Sequence, residues 1–130
     1  MIRRQVKTRS REEMVDITGV IREALRESAR LDASAAIIFI PHTTAGVTIN
    51  ENADPDVRTD MIAGLKRLVP ADQGFRHAEG NSDAHIKASL MGSSVMVPVE
   101  NGQLVLGIWQ GIYLAEFDGP RTRTVIIQTI

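Results

Sequence analysis

The chain has three histidines, and all lie in two short polar segments: His42 in PHTTAGVTINENADP, and His77 and His85 in HAEGNSDAH. Neutral imidazole is a good zinc ligand, and three imidazoles with one open position form a known catalytic set, so His42, His77 and His85 are one candidate metal site. The interval from His77 to His85 is not the compact helical pair of H-E-x-x-H. Spacing alone therefore leaves a second reading open, in which each histidine is structural or solvated. The carboxylates that could support such a site are Glu51, Glu79, Asp83 and Glu116. Each could fix an imidazole tautomer or serve as a general base beside a bound water. For Asp83, at the start of an expected helix, a favourable interaction with the helix dipole competes with that role.

A phosphate site is the other chemistry these segments suggest. Glu79-Gly80-Asn81-Ser82 leads into a helix whose first amides suit an anion, which makes Asn81 and Ser82 candidate phosphate ligands. Lys87, Arg121 and Arg123 could neutralise the charge, although R-T-R at 121–123 suits the solvated face of an edge strand equally well. Asn50, Glu51 and Asn52 end an expected strand, where they either turn the chain or orient a ligand. Trp109 and Gln110 lie between Gly107 and Gly111, where a strand bends or backbones approach closely. Trp109 fills a core or a subunit interface, or stacks on a substrate. No G-x-x-x-x-G-K-[ST] is present and no G-x-G-x-x-G follows a strand, so the common nucleotide folds have no support.

The elements that must position these residues follow from periodicity and caps. IRRQVKT and MVDI read as two short strands joined across a polar turn. Thr18 can cap a helix from about Gly19 to Leu31, with Val20, Ile21, Ala24, Leu25 and Ser28 on one face. The apolar run through Ile40, closed by Pro41, predicts a strand buried on both faces, with His42 at its end. A second strand covers Gly46 to Asn50. Asp54 before Pro55 is a strong helix start, and Val57, Met61, Leu65 and Leu68 continue on one face until Pro70. A polar loop spans Ala71 to Asn81. Asn81 or Ser82 then caps a short helix through about Leu90, with His85 near its start. Short strands complete the chain, with turns at Glu100-Asn101-Gly102 and Asp118-Gly119-Pro120. The order β-β-α-β-β-α-α-β-β-β-β leaves too little room for crossover helices between several neighbouring strands. The expected fold is therefore α+β, a mainly antiparallel, jelly-roll-like β-sandwich with about three flanking helices in a single domain over 1–130.

Composition sets the wider bounds. With 43% apolar residues, 15 basic against 16 acidic side chains and a formal net charge of -1, this is an ordinary globular composition, neither disordered nor charged to bind nucleic acid. Cysteine is absent, so any metal must be held by nitrogen and oxygen. The longest apolar run, Ala35 to Ile40, is far short of a membrane span, and the basic start leads into no apolar segment. The chain reads as cytoplasmic and unanchored.

Three long stretches, PHTTAGVTINENADPDVRTD, HAEGNSDAHIKASLMGSS and NGQLVLGIWQGIYLAEFDGPRTR, closely resemble the YjbQ-like family, also called the secondary thiamine-phosphate synthase family, in order and in separation. The resemblance covers nearly the whole chain from about Val15. It implies a compact β-sandwich with flanking helices and a homotrimer. Some members bind a metal at histidines, which carries over to His42, His77 and His85. Many members have a longer E-E-G-x-D-D-M stretch before the last histidine, and HAEGNSDAH departs from it, so no second metal or acid role is carried over there.

The implied activity joins hydroxymethylpyrimidine diphosphate to thiazole phosphate, giving thiamine phosphate and diphosphate, either as the main reaction or as a side reaction of another activity. A divalent metal would serve it, zinc by its ligands or magnesium by its diphosphate substrate. Asn50, Glu51 and Gln110 are then candidates to orient the rings, Glu51, Glu79 and Asn50 to act in catalysis, and Asn81, Ser82, Lys87 and Arg121 to hold phosphate. Two alternatives stand beside it: a metal-assisted hydrolase of one small substrate, and a non-catalytic module whose histidines stabilise a trimer through a metal.

Overall fold

Burial alternates along most of the strands, and the computed structural model, which describes residues 1–130, arranges them in two sheets. The elements are β1 (Ile2–Lys7), β2 (Glu13–Asp16), α1 (Thr18–Ser28), β3 (Ala35–Phe39), β4 (Ala45–Glu51), α2 (Pro55–Leu68), α3 (Ser82–Met91), β5 (Ser94–Glu100), β6 (Gln103–Leu104), β7 (Gln110–Glu116) and β8 (Thr122–Thr129). Their order is the expected one, and the fold is α+β. One sheet runs β1-β8-β3-β5-β6 and the other β2-β7-β4, with every pairing antiparallel.

The main core lies between the sheets. Val6, Ile38, Val97, Val125 and Ile127 of the larger sheet meet Val47, Ile112 and Leu114 of the smaller one, and Ile21, Ala24 and Leu25 of α1 close one side. A second cluster lies on the outer face of the smaller sheet, where Met14, Tyr113, Ala115 and Phe117 pack against Ala84 and Ala88 of α3 and partly buried side chains of α2. β7 is therefore covered on both faces, its even-numbered apolar residues in one cluster and its odd-numbered ones in the other.

Local chemistry explains the boundaries. Asp54 accepts a hydrogen bond from the Asp56 amide at 2.9 Å, and Pro55 opens α2 where its missing donor costs nothing. The β5–β6 turn has positive φ at both Asn101 and Gly102, the combination that a tight hairpin requires. Gly46 is demanded by contact: a Cβ there would stand 2.6 Å from the Gly92 carbonyl at the end of α3, and the next amide, Val47, bonds that same oxygen at 3.0 Å. That contact holds the end of α3 against β4.

Several expectations are corrected. β3 is buried on one face only, through Ala36 and Ile38, with Phe39 exposed, because no helix covers the outside of its sheet. β8 is central between β1 and β3 and not an edge, so R-T-R does not mark a solvated face. Thr18 lies inside α1 after Ile17 at the cap, and its hydroxyl accepts from the Ile112 amide, tying helix to sheet. α1 ends at Ser28 because Ala29 turns left-handed. Trp109 is 60% exposed, so within one chain it fills no core.

Candidate functional site

His42 follows β3 through Ile40 and Pro41, and it sits beside β8, where its Nε2 accepts the Thr124 amide at 2.9 Å. That bond requires a bare Nε2, so neutral His42 carries its proton on Nδ1. Burial, reinforced by the Arg123 charge and opposed in part by Glu116, holds the His42 pKa below its ordinary value. The ring is therefore a neutral imidazole at physiological pH, with an N–H free for a ligand.

His85 comes from the first turn of α3, and the preceding loop brings His77 to it. Their ring centroids are 5.6 Å apart in an edge-to-face arrangement, and His77 Nε2 is 3.9 Å from Glu79 Oε2. His42, Thr43 and His85 are common walls of two adjoining clefts. One, of about 420 Å³, adds Glu79, Asn81, Asp118, Arg121 and Arg123 and, Pro41 apart, is lined by polar side chains. The other, of about 510 Å³, adds Ala45, Ala88, Ser89, Gly92 and Ser93 and has no charged lining. Together they make one groove with a charged end and an uncharged end, divided at the histidines.

The donors suit zinc in kind, but the three-histidine set is not assembled. No three His, Asp or Glu side chains are gathered closely enough to hold an ion, and the metal-binding lone pair of His42 is given to Thr124. His77 and His85 make no side-chain hydrogen bonds that would compete for their ring nitrogens, so these two are the available ligands.

Other expected residues go elsewhere. Asn50, Glu51 and Gln110 lie at the far end of the smaller sheet: Ala45 pairs with Glu116 beside the groove, Glu51 with Gln110 at the opposite end. Six residues at about 3.3 Å each put them roughly 20 Å away. Gln110 there accepts the Gly107 amide at 2.8 Å, and the Asn50 side chain accepts the Glu51 amide. Ser82 begins α3 but lines neither cleft. Lys87 is 1% exposed and bound between Asp83, at 3.0 Å, and Glu12, so it offers no charge to a phosphate. Asp83, beyond its helix-start position, is buried and also held by Arg11 at 3.1 Å. Burial alone would raise the Asp83 pKa, but the bonds from Arg11 and Lys87 outweigh it and the net shift is downward. Asn81 reaches the groove without capping α3, and Arg121 lines the charged end, pinned to Asp118.

One network at the site was not foreseen. Glu116 of β7 and Arg123 of β8, both buried, join the two sheets directly behind the groove, at 2.9 Å from Nε and 2.5 Å from Nη2. Thr8 donates to the same carboxylate at 2.7 Å, as do the Phe117 and Asp118 amides, while Thr44 Oγ1 accepts from Arg123 at 2.9 Å. The available signal was the spacing: a lone acid in the apolar run of β7 and a lone base in β8, each in step with the inward-facing residues.

Comparison with known proteins decides the family. The family model for UPF0047 protein YjbQ-like matches residues 3–130. The chain belongs to that family. A UPF0047 protein of Methanocaldococcus jannaschii is 54% identical over 126 residues, covering 97% of this chain and 91% of that protein. UPF0047 protein YugU of Bacillus subtilis is 54% identical over 125 residues, covering 95% and 94%. The fold is that of a crystallised family member from Clostridium acetobutylicum, described as uncharacterised, with a TM-score of 0.96 at 51% identity over all of both chains. No helix is long and apolar enough to cross a membrane.

Proposed function

We propose that the histidine groove is the active site of a divalent-metal enzyme acting on small phosphorylated substrates, with the thiamine-phosphate synthase reaction as its main or side activity. The carrying observation is that His42 and His85 face one groove with unlike ends, which suits two reactants meeting at the histidines. His77 and His85 would hold the ion, zinc by donor type, and when bound it would offset charge growing on the departing diphosphate. His42 contributes an Nδ1–H to an oxygen that gains charge, and because its pKa is depressed it does so as a neutral donor. The uncharged end, with Ser89 and Ser93, would receive the diphosphate. Glu79 at the rim orients His77 or takes up a proton. The homotrimer belongs to the same reading, with exposed Ile108 and Trp109 as part of its interface.

The test uses protein purified without a metal-affinity tag, its metal measured by elemental analysis. It is supplied with hydroxymethylpyrimidine diphosphate and thiazole phosphate, together and singly. Thiamine phosphate should form only with both substrates. His42→Ala and His85→Ala should each lower turnover by about a hundredfold or more with an unchanged circular dichroism spectrum. Full turnover in both variants would overturn the site, and product from one substrate alone would replace the synthase with a hydrolase.

A further inference from the structure

A second recess lies between α1 and the β5–β6 hairpin, away from the histidines. Arg22, Leu25 and Arg26 fall on one helical face, and with Gly102, Gln103 and Leu104 they enclose a cavity of about 260 Å³. An adjoining cavity of about 330 Å³ shares Leu25, Arg26, Gly102 and Gln103 and continues to Ala29 and Leu31. No acidic side chain lines either one. The acids nearby are engaged or turned away: Glu27 is paired with Arg4 and Asp32 with Arg30, while Glu23, three residues before Arg26, makes no ion pair with it. Arg22 and Arg26 are therefore exposed and unpaired, one helical turn apart, where like charges repel. Beneath them the floor is apolar. Leu25 is 4% exposed and belongs to the main core, Leu104 packs against that core, and Leu31, in contact range of Gly102, is left 72% exposed.

We propose that this recess binds a small organic carboxylate with an apolar body, its anionic group held between the Arg22 and Arg26 guanidinium groups and its hydrocarbon part laid over Leu25 and Leu104 toward Leu31. A guanidinium presents paired N–H donors whose geometry matches a carboxylate, and a bound anion removes the repulsion between the two cations. Gln103 adds an amide that can donate to the same group. A doubly charged phosphate fits less well. The recess adjoins the last turn of α1, whose carbonyls carry partial negative charge, and its floor is hydrocarbon without a hydroxyl. The site shares no residue with the histidine groove. Ser93 lines the groove just before β5 and the hairpin turn follows Glu100, so the seven residues of β5 set the two places roughly 20 Å apart.

The experiment titrates 1-naphthoate, 1-naphthalenemethanol and inorganic phosphate separately into the isotope-labelled protein and follows each by NMR. Naphthoate should move the backbone signals of Leu25, Gly102 and Leu104 and the Nε–H signals of Arg22 and Arg26. It should bind roughly tenfold more tightly than the alcohol, which has the same rings and no charge. Arg22→Gln combined with Arg26→Gln, both at exposed positions, should bring that preference below about twofold with an unchanged circular dichroism spectrum. Equal affinities for acid and alcohol, or a tenfold preference surviving in the double variant, would overturn the site. So would naphthoate shifts confined to His42 and His85, or no shift at α1 and the hairpin with any of the three compounds. Phosphate that binds at the two arginines as tightly as naphthoate would overturn the ligand class.

Discussion

At the scale of single residues, the firmest consequences concern the ion pair behind the groove. Glu116 and Arg123 are both buried, and every oxygen of the carboxylate has a donor. Removing one partner strands the other charge in a dry place. Glu116→Ala or Arg123→Met should therefore cost about 3–5 kcal/mol, read from denaturant unfolding, whereas the paired replacement Glu116→Leu with Arg123→Met should recover much of the loss. Costs that simply add in the double variant would mean the two charges are not coupled. Asp118 gives the pH dependence. Its pKa is lower folded than unfolded, so the stability it contributes is complete above the ordinary aspartate range and lost as pH falls through its folded value. Unfolding followed between about pH 6 and pH 2 should show a shallower acid loss in Asp118→Asn than in wild type. Identical slopes would contradict the assignment.

Among the elements, the seam between β4 and α3 governs the site, because α3 carries His85 and its end is bonded to β4. Gly46→Ala would press a methyl group onto the Gly92 carbonyl and should cost about 1–3 kcal/mol, measured by thermal unfolding, with the NMR signals of His85 displaced. A neutral effect would show that the seam can open freely. The elements themselves were largely legible: Asp54-Pro55, Asn101-Gly102 and the apolar periods each act through chemistry local to the chain. The histidine segments could be named for the same reason, since their residue types are unusual wherever they sit. What periodicity could not supply was partnership between distant strands. R-T-R reads as an edge because alternating polar residues face water at an edge, but at a central strand they also face inward when an acid such as Glu116 awaits them. Lys87 misled in the same way, for nothing within α3 announces Glu12, which arrives from the β1–β2 connection. Glu51 seemed near the histidines because it shares a segment with His42, yet an extended strand carries its two ends far apart, and Gln110 pairs with Glu51 at that far end.

For the molecule as a whole, the exposed apolar turn stands at the end opposite the groove. Ile108 is 89% exposed and Trp109 60%, large side chains that a lone soluble domain seldom displays side by side. In the trimer proposed above they are covered. Trp109→Asp should then shift the sedimenting species from trimer toward monomer, and a trimer that survives the change would place the interface elsewhere. Strand order has a different consequence, one for the course of folding. β1 pairs with β8 alone, Ile2 against Ile127, and β3 loses one of its two flanks without that strand. The larger sheet therefore closes through contacts very distant in sequence, the kind that form slowly. Until they form, β1 and β3 each present an open edge to neighbouring molecules.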